Sequence, residues 1–251
     1  MIRIVEMENL RFNQYLSAVG VVGVFSRWVV AHRPHAKSLC VLSGSQIVAV
    51  AILGPSIGLP QAASCWVFSD STEAFACLLE QLRQMRVGPL SFPLRFLDYV
   101  ARGSDVSVDH FYVMLQSRAG KRIGVSGVEY LSRERFANLT IPDEMTRLLG
   151  TIESIPEGFP YYGVVRSNTL VALAESCVRD SELAAIQQVF TISSARGQGF
   201  GHAVVEYAAL DLLKDGIIPT YFTDESNRES VFLAESVGFE LDSRWGYTDL
   251  D

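Results

Sequence analysis

The sequence predicts an α/β (α+β) fold made of two similar lobes, each a mixed, mostly antiparallel sheet flanked by helices. Two observations lead to this prediction. A strand–turn–strand pattern occurs twice along the 251 residues, and each copy is followed by a strand, an amphipathic helix and another strand. The composition, with 49% hydrophobic and 20% charged residues, supports buried cores for lobes of this size. We therefore expect a first lobe at residues 1–120 and a second at residues 121–251.

The repeated hairpin is the first element of each lobe's common pattern. Residues 41–51 align without a gap with residues 164–174, and four of the eleven positions are identical. The strand, helix and strand that follow are expected at 63–68, 71–85 and 89–93 in the first lobe, and at 183–192, 199–214 and 217–223 in the second. Helices within 8–31 open the first lobe, and a strand at 108–116 precedes a polar, helical stretch that extends to about residue 158.

Charge and hydropathy exclude several classes of protein. The chain has 21 Lys and Arg against 28 Asp and Glu, and this net charge of −7 argues against nucleic-acid and anionic-membrane partners. The charge is uneven, because residues 1–125 hold 12 cationic against 8 acidic side chains (+4) and residues 126–251 hold 9 against 20 (−11). No uncharged apolar run reaches the roughly 18–20 residues of a membrane-spanning helix. Glu6 and Glu8 stand where a secretory signal is basic, so we expect a cytoplasmic protein.

The four cysteines predict no metal site. They form no Cys-x-x-Cys pair, and no histidine lies near them at zinc-ligand spacing. We interpret them as small buried hydrophobic residues.

A glycine-rich segment distinguishes the second lobe from the first. Residues 193–202, the glycine loop, lie between strand and helix where the first lobe has only residues 69–71. Gly197, Gly199 and Gly201 permit a tight turn that brings backbone N–H groups close to a ligand. The helix start that follows has a positive dipole end, and Arg196 adds a cationic side chain. The sequence therefore predicts an anion site suited to a pyrophosphate.

Two common nucleotide sites match this loop poorly. A P-loop needs Gly-Lys-Ser/Thr at the helix start, whereas Gly201 is followed by His202. A dinucleotide site needs its third glycine at position 202, although Asp224 stands where a ribose-binding acid is expected. Only 27 residues follow Asp224, which is too few to complete a doubly wound sheet.

A third pattern matches in order and spacing. Arg196, Gly199 and Gly201 follow a strand that ends in Val189-Phe190-Thr191, and Asn227, Ser230 and Gly238-Phe239 come later in the chain. This arrangement resembles the GNAT acetyltransferase superfamily, whose coenzyme A loop reads Gln/Arg-x-x-Gly-x-Gly/Ala. The resemblance covers residues 161–247.

The resemblance implies acetyl-CoA as cosubstrate and specific roles for these residues. The backbone of Val189, Phe190 and Thr191 would pair with the pantetheine arm, and Asn227 would contact the cofactor near the thioester. An amine would attack the thioester directly while strand N–H groups polarise its carbonyl, a base takes the ammonium proton and an acid protonates the sulfur. The pyrophosphate would be held by Arg196, Gly197, Gln198, Gly199, Phe200, Gly201 and His202.

The catalytic groups are where the sequence departs from the superfamily pattern. A tyrosine often stands four residues before the glycine of Gly-Phe, and here that position is Ala234. Tyr247 is the predicted acid, with Tyr221 and Tyr161 as alternatives. Glu175 is the predicted base, because its counterpart in the first copy is Ile52 and a partly buried carboxylate has a raised pKa.

These features predict a coenzyme A-dependent N-acetyltransferase for a primary amine of a small molecule, with no metal and with no nucleic-acid or membrane partner. The alternative is a non-catalytic acyl-CoA-binding or regulatory module, which the alanine at the usual tyrosine position favours. The first lobe lacks the glycine loop and is expected not to bind the cofactor. The sequence leaves the oligomeric state open.

Overall fold

A computed structural model describes residues 2–6, 13–19, 21–32, 36–56, 59–102, 107–116, 127–149, 160–179 and 181–249. The chain divides into two compact units. Unit 1 comprises Met1–Val113, Asp224–Ser226 and Asp242–Asp251, and unit 2 comprises Met114–Thr223 and Asn227–Leu241. The predicted lobe boundary at residues 120 and 121 lies outside the described residues.

Twelve strands and eight α-helices are present in the described part of the chain. From β1 to β6 the elements are β1 (Ile2–Glu6), α1 (Asn13–Ala18), α2 (Val21–His32), β2 (Lys37–Ser43), β3 (Gln46–Ser56), β4 (Leu59–Ser69), α3 (Thr72–Gln84), β5 (Leu90–Pro93), α4 (Leu97–Val100) and β6 (Asp109–Leu115). From β7 to β12 they are β7 (Val128–Leu131), α5 (Arg133–Ala137), α6 (Asp143–Leu149), β8 (Tyr161–Arg166), β9 (Thr169–Cys177), β10 (Leu183–Thr191), α7 (Phe200–Lys214), β11 (Ile218–Asp224), α8 (Arg228–Val237) and β12 (Glu240–Thr248).

Each unit contains a mixed, mostly antiparallel sheet flanked by helices, so the predicted fold class is confirmed. In unit 1 the strands lie in the order β1-β2-β3-β4-β5-β12-β6, and β4 pairs in parallel with β5. In unit 2 the order is β11-β10-β9-β8-β7, and β10 pairs in parallel with β11. The stretch expected to be helical up to about residue 158 does contain the short helices α5 and α6, but it also contains β7, which pairs antiparallel with β8.

The two hairpins share their register, which agrees with the repeat in the sequence. Val41 pairs with Ala49 and Val164 pairs with Ala172, and the register shifts immediately after each of these pairs. The two copies therefore share an irregularity at the same aligned position, in addition to the hairpin itself. The copies differ in the position of the next irregularity. Strand β10 has a bulge against β9 between Gln187 and Phe190, where Gln188 has φ 48°, whereas the register of β3 with β4 shifts only at Pro55 and Ser56.

Helix α3 of unit 1 and helix α7 of unit 2 occupy equivalent positions after the third strand of each copy. Apolar residues at helical spacing bury one face of α3: Ala74, Phe75, Leu78, Leu79 and Leu82. Helix α7 packs on β8, β9 and β10, and its Asp211 accepts a 2.7 Å hydrogen bond from Tyr162 of β8. The packing fixes the start of α7 at the end of β10, which is where the glycine loop lies.

Candidate functional site

A cleft in unit 2 opens where two parallel strands separate. Leu183–Ile186 of β10 pair with Ile218–Tyr221 of β11, and the pairing ends at the position of the bulge in β10. The cleft has a volume of about 790 Å³. Its walls are formed by Val189, Phe190, Thr191, Ala195, Arg196, Gly197, Gly199, Phe200, Gly201, His202, Tyr221, Asn227, Glu229, Ser230, Phe232, Leu233 and Ser236. Every predicted cofactor residue except Gln198 therefore lies on the cleft wall.

The start of α7 has the features of an anion site. Gly197 and Gly199 adopt positive φ angles of 73° and 79°, which a side chain would strain. Gly199 is the N-cap, and no side chain caps the helix. The first N–H groups of α7 have no partner within the helix, and they lie at the positive end of the helix dipole. Because Gly199 and Phe200 line the cleft, a ligand in the cleft can reach these groups.

The equivalent helix start in unit 1 is closed by its own side chains. Ser71 caps α3 by accepting a 3.2 Å hydrogen bond from the N–H of Ala74. Tyr15 donates to Asp70 in the same turn, at 3.1 Å. The bond to Ser71 satisfies one N–H group at the start of α3, whereas no side chain caps the start of α7.

Two contacts hold the glycine loop in place. The Arg196 Nε donates a hydrogen bond to the carbonyl of Thr191, at 3.2 Å. Glu144 of α6 accepts hydrogen bonds from the N–H and the hydroxyl of Ser193, at 3.0 and 2.7 Å. These bonds from Ser193, and secondarily the charge of Arg196, lower the pKa of the Glu144 carboxyl. Sequence reasoning missed Glu144, and its separation of 49 residues from Ser193 left no local signal.

The remaining loop residues have distinct surroundings. A Cβ at Gly201 would lie 3.2 Å from the Thr191 hydroxyl, so this glycine permits close approach of α7 to β10. The Nε2 of His202 lies 3.4 Å from the Ser236 carbonyl, and its Nδ1 is buried on the cleft wall with no hydrogen-bond partner. Gln198 donates to the carbonyl of Ser194, at 3.4 Å, within the loop.

Helix α8 forms the opposite wall. Asn227 caps it, with Oδ1 accepting from the N–H of Ser230 at 3.1 Å. The hydroxyls of Tyr221 and Ser230 lie 3.0 Å apart, and Tyr221 is only 3% exposed. Burial raises the pKa of Tyr221, and the hydrogen bond with Ser230 acts in the opposite direction. Ala234 is fully buried and is not part of the cleft wall.

The two predicted catalytic residues do not line the cleft. Glu175 is 3% exposed within β9, and its Oε1 accepts a 2.8 Å hydrogen bond from Tyr161. Burial raises the pKa of this carboxyl, although the bond from Tyr161 lowers it. Tyr247 belongs to unit 1, where it pairs with Ser91 of β5. Of the three tyrosines considered from the sequence, Tyr221 is the one on the cleft wall.

The described residues give two further findings about partners. None of their helices has the length and apolarity that crossing a membrane requires. Their His, Cys, Asp and Glu side chains form no group of three or more that could hold a metal ion.

Comparisons with known proteins support the resemblance to the GNAT superfamily that the sequence indicated. Residues 161–247 match the family model described as FR47-like protein. No curated protein matches the chain.

Solved structures extend the likeness to the whole chain. A Drosophila protein is similar over 98% of this chain and 98% of its own, with a TM-score of 0.68 at 16% identity. A GCN5-related N-acetyltransferase from Kribbella flavida is similar over 95% of each chain, with a TM-score of 0.62 at 12% identity. A tandem GNAT protein from the clavulanic acid biosynthesis pathway is similar over 100% of this chain and 99% of its own, with a TM-score of 0.56 at 13% identity. The chain therefore has the GNAT fold over both units.

Proposed function

We propose that the chain is an acetyl-CoA-dependent N-acetyltransferase that acetylates a primary amine of a small molecule. The observation that carries the proposal is the uncapped start of α7, which is preceded by two left-handed glycines and faces a cleft. Backbone N–H groups at a helix start bind phosphate oxygens without a dedicated cationic pocket.

The residues of the cleft suit coenzyme A. The cleft volume of about 790 Å³ lies within the range of small-molecule sites, about 300–1,000 Å³. Arg196 and the N–H groups of residues 197–202 would hold the pyrophosphate, and the free edge of β10 at Val189–Thr191 would pair with the pantetheine amides. Acetyl-CoA would supply the acyl group as an activated thioester. The chain contributes N–H donors that polarise a carbonyl and a wall that excludes water.

Unit 1, in this proposal, binds no cofactor. Ser71 caps α3 by accepting from the N–H of Ala74, and the Asp70 carboxylate lies in the same turn, so this helix start suits an anion less well than that of α7. The aromatic residues Trp66, Phe68 and Trp245 pack together at the end of β4, with ring centroids 5.4–5.7 Å apart for the pairs that include Trp245. This packing fills space at the strand equivalent to β10.

The acceptor and the compartment are also part of the proposal. The charge of −11 on residues 126–251 favours a cationic amine over an acidic substrate, because like charges are repelled from an acidic surface. Cys40, Cys65 and Cys177 are buried free thiols, which agrees with a reducing cytoplasm.

Calorimetric titration with coenzyme A tests the proposal. We expect the wild-type protein to bind with a Kd below 100 μM, a typical scale for a phosphate-anchored ligand, and Arg196→Gln to weaken binding by roughly tenfold. Lys214→Gln is the matched control, because it removes the same charge from the other end of α7. Absence of binding to the wild-type protein at high micromolar concentration contradicts the proposal.

A second function is favoured by one observation. Ala234 carries no hydroxyl at the position of the superfamily's usual tyrosine, which is compatible with a module that binds acyl-CoA without turning it over. Thiol release from acetyl-CoA, measured against a broad panel of amines, separates the two functions. The binding module predicts cofactor affinity with no amine-dependent release, whereas the enzyme predicts both.

A further inference from the structure

We propose that Tyr221 donates the proton to the departing sulfur of the thioester, with Ser230 as its positioning residue, in place of the tyrosine that Ala234 replaces. This inference rests on the proposed function and deepens it. It assigns an acid to a site where the sequence pattern provides none.

The direction of the strands places Tyr221 at the sulfur end of the cleft. The phosphate-binding loop follows Thr191, and β10 runs back from Thr191 through Val189 towards Ile186. Ile186 pairs with Tyr221 at the last parallel position before the two strands separate. A ligand anchored at the loop and extended along β10 therefore ends next to Tyr221.

The phenol of Tyr221 is held in a fixed position. Its ring packs against Phe239, with centroids 5.6 Å apart, and its hydroxyl lies 3.0 Å from the Ser230 hydroxyl on α8. Both residues line the cleft, and the tyrosine is 3% exposed. Because both residues lie on the cleft wall, the Tyr221 hydroxyl can donate to Ser230 or to a ligand in the cleft.

The Ser230 hydroxyl gives this donor a supporting hydrogen bond. When Ser230 donates to the phenol oxygen, the Tyr221 O–H is directed away from Ser230 and is available to a sulfur acceptor. This donated bond also lowers the pKa of Tyr221 against the effect of burial, which makes the phenol a better acid.

The proton balance of the step is complete. The amine nitrogen forms the new C–N bond, and the C–S bond breaks with its electron pair going to sulfur. The Tyr221 O–H bond breaks and its proton passes to sulfur, which leaves as the thiol. The phenolate takes a proton from water, and the ammonium proton of the acylated nitrogen passes to water, directly or through a base that then releases it, so no net proton is gained or lost by the protein.

The two other tyrosines considered are placed differently. Tyr161 is 2% exposed and donates its hydroxyl to Glu175, and it is not part of the cleft wall. Tyr247 is a residue of unit 1. Their phenylalanine variants therefore serve as competing assignments in the same experiment.

Binding of coenzyme A and desulfo-coenzyme A across pH tests the assignment without turnover. The fraction of the coenzyme A thiol that is ionised rises at alkaline pH, whereas the raised pKa of Tyr221 keeps its phenol protonated as a donor. For the wild-type protein, we expect the affinity ratio of coenzyme A to desulfo-coenzyme A to rise about tenfold between pH 7 and 9.5, since a donated bond to a charged acceptor is strong. In Tyr221→Phe the rise should be absent, and in Ser230→Ala it should be reduced.

Tyr162→Phe is the matched control, because it removes a hydroxyl bonded to Asp211 at 2.7 Å and away from the cleft wall. It should keep the full rise. An equal rise in wild type and Tyr221→Phe, or its loss in Tyr161→Phe or Tyr247→Phe instead, overturns the assignment while coenzyme A binding still supports the proposed function. Failure of the wild-type protein to bind coenzyme A overturns both.

Turnover provides the second readout once an amine substrate is found. Tyr221→Phe should lower kcat by about 100-fold or more, the usual effect of losing a general acid, with the KM for acetyl-CoA within about threefold of wild type. An unchanged kcat in this variant also overturns the assignment.

Discussion

Glu175 illustrates how one residue can differ between two copies of the same hairpin. Its aligned counterpart in unit 1 is Ile52, and both residues are buried, with exposures of 3% and 1%. The carboxyl in unit 2 is accommodated by one hydrogen bond, from Tyr161, and the residue aligned with Tyr161 is Ser38. A buried acid with a single neutral partner favours its protonated form.

This environment predicts a pH dependence of stability. Burial raises the pKa of Glu175 in the folded protein above the unfolded value of about 4.3. Its stabilising contribution is therefore complete below pH 4 and is lost as the pH rises through the folded pKa. We expect Glu175→Gln, which keeps an acceptor for Tyr161, to flatten this part of the profile and to be more stable than wild type by about 1–2 kcal/mol at pH 8.

Urea unfolding of both proteins from pH 4 to pH 9 measures the difference. Ser176→Ala, which removes a buried hydroxyl on the next residue, should leave the slope with pH unchanged. If the free energy of unfolding of Glu175→Gln and of wild type changed with pH in parallel, the pKa of Glu175 would be the same in the folded and unfolded states, which contradicts the prediction. Glu175→Gln also tests the predicted role of Glu175 as the catalytic base. A lower kcat with unchanged affinity for the cofactor would support that role.

At the scale of elements, the glycine loop depends on α6 as well as on its own glycines. Glu144 of α6 accepts two hydrogen bonds from Ser193, and its carboxylate is close enough to Arg196 for their charges to interact. The carboxylate therefore orders the loop and also places a negative charge near the predicted phosphate site. These two effects oppose each other in cofactor binding.

Variants of Glu144 separate the two effects. Glu144→Gln keeps an acceptor for Ser193 and removes the charge, so we expect coenzyme A to bind about two- to fivefold tighter at low salt, with the gain shrinking at high salt. Glu144→Ala removes the acceptor too and should bind more weakly than Glu144→Gln. Calorimetry at two salt concentrations measures both, with Glu134→Gln on α5 as the control for a charge change elsewhere in unit 2. Equal affinity of the two Glu144 variants would contradict an ordering role.

Local sequence patterns predicted most elements but not the contacts between them. The repeat, the limits of α3 and α7 and the glycine loop all depend on residues that are close in sequence, and the structure agrees with each to within a few residues. The bulge at Gln188, the bonds from Ser193 to Glu144 and the pairing of Tyr221 with Ser230 depend on packing between separate elements. Strand β7 was missed because four residues are too few for a period-two pattern to stand out.

At the scale of the whole molecule, the two units do not follow the order of the chain. The last strand, β12, follows α8 of unit 2, yet Asp242–Asp251 belong to unit 1. Trp245 of this strand is 4% exposed and packs on Trp66 and Phe68. A fragment ending at residue 120 would therefore lack a strand that pairs with β5 in its own sheet.

Gly246 offers a test of this dependence within the intact chain. It pairs with Phe92 of β5, and a Cβ at this glycine would lie 2.5 Å from the Phe92 ring. Phe92 is fully buried and packs beside Phe75, so the ring has little room to move. We expect Gly246→Ala to destabilise unit 1 by about 1–3 kcal/mol, the usual effect of overpacking a core.

Hydrogen exchange read separately for each unit measures this effect, since local stability can differ within one chain. Gly246→Ala should increase exchange in β2 to β5, although the substitution lies more than 150 residues further along the chain than β5. Peptides from β8 and β9 should be unchanged. Gly216→Ala is the control, because it strains a left-handed glycine of unit 2 that has no neighbour within 4 Å of a Cβ, so its effect should remain in unit 2. Increased exchange in β8 and β9 with β2 to β5 unaffected would place β12 with the lobe that precedes it in sequence.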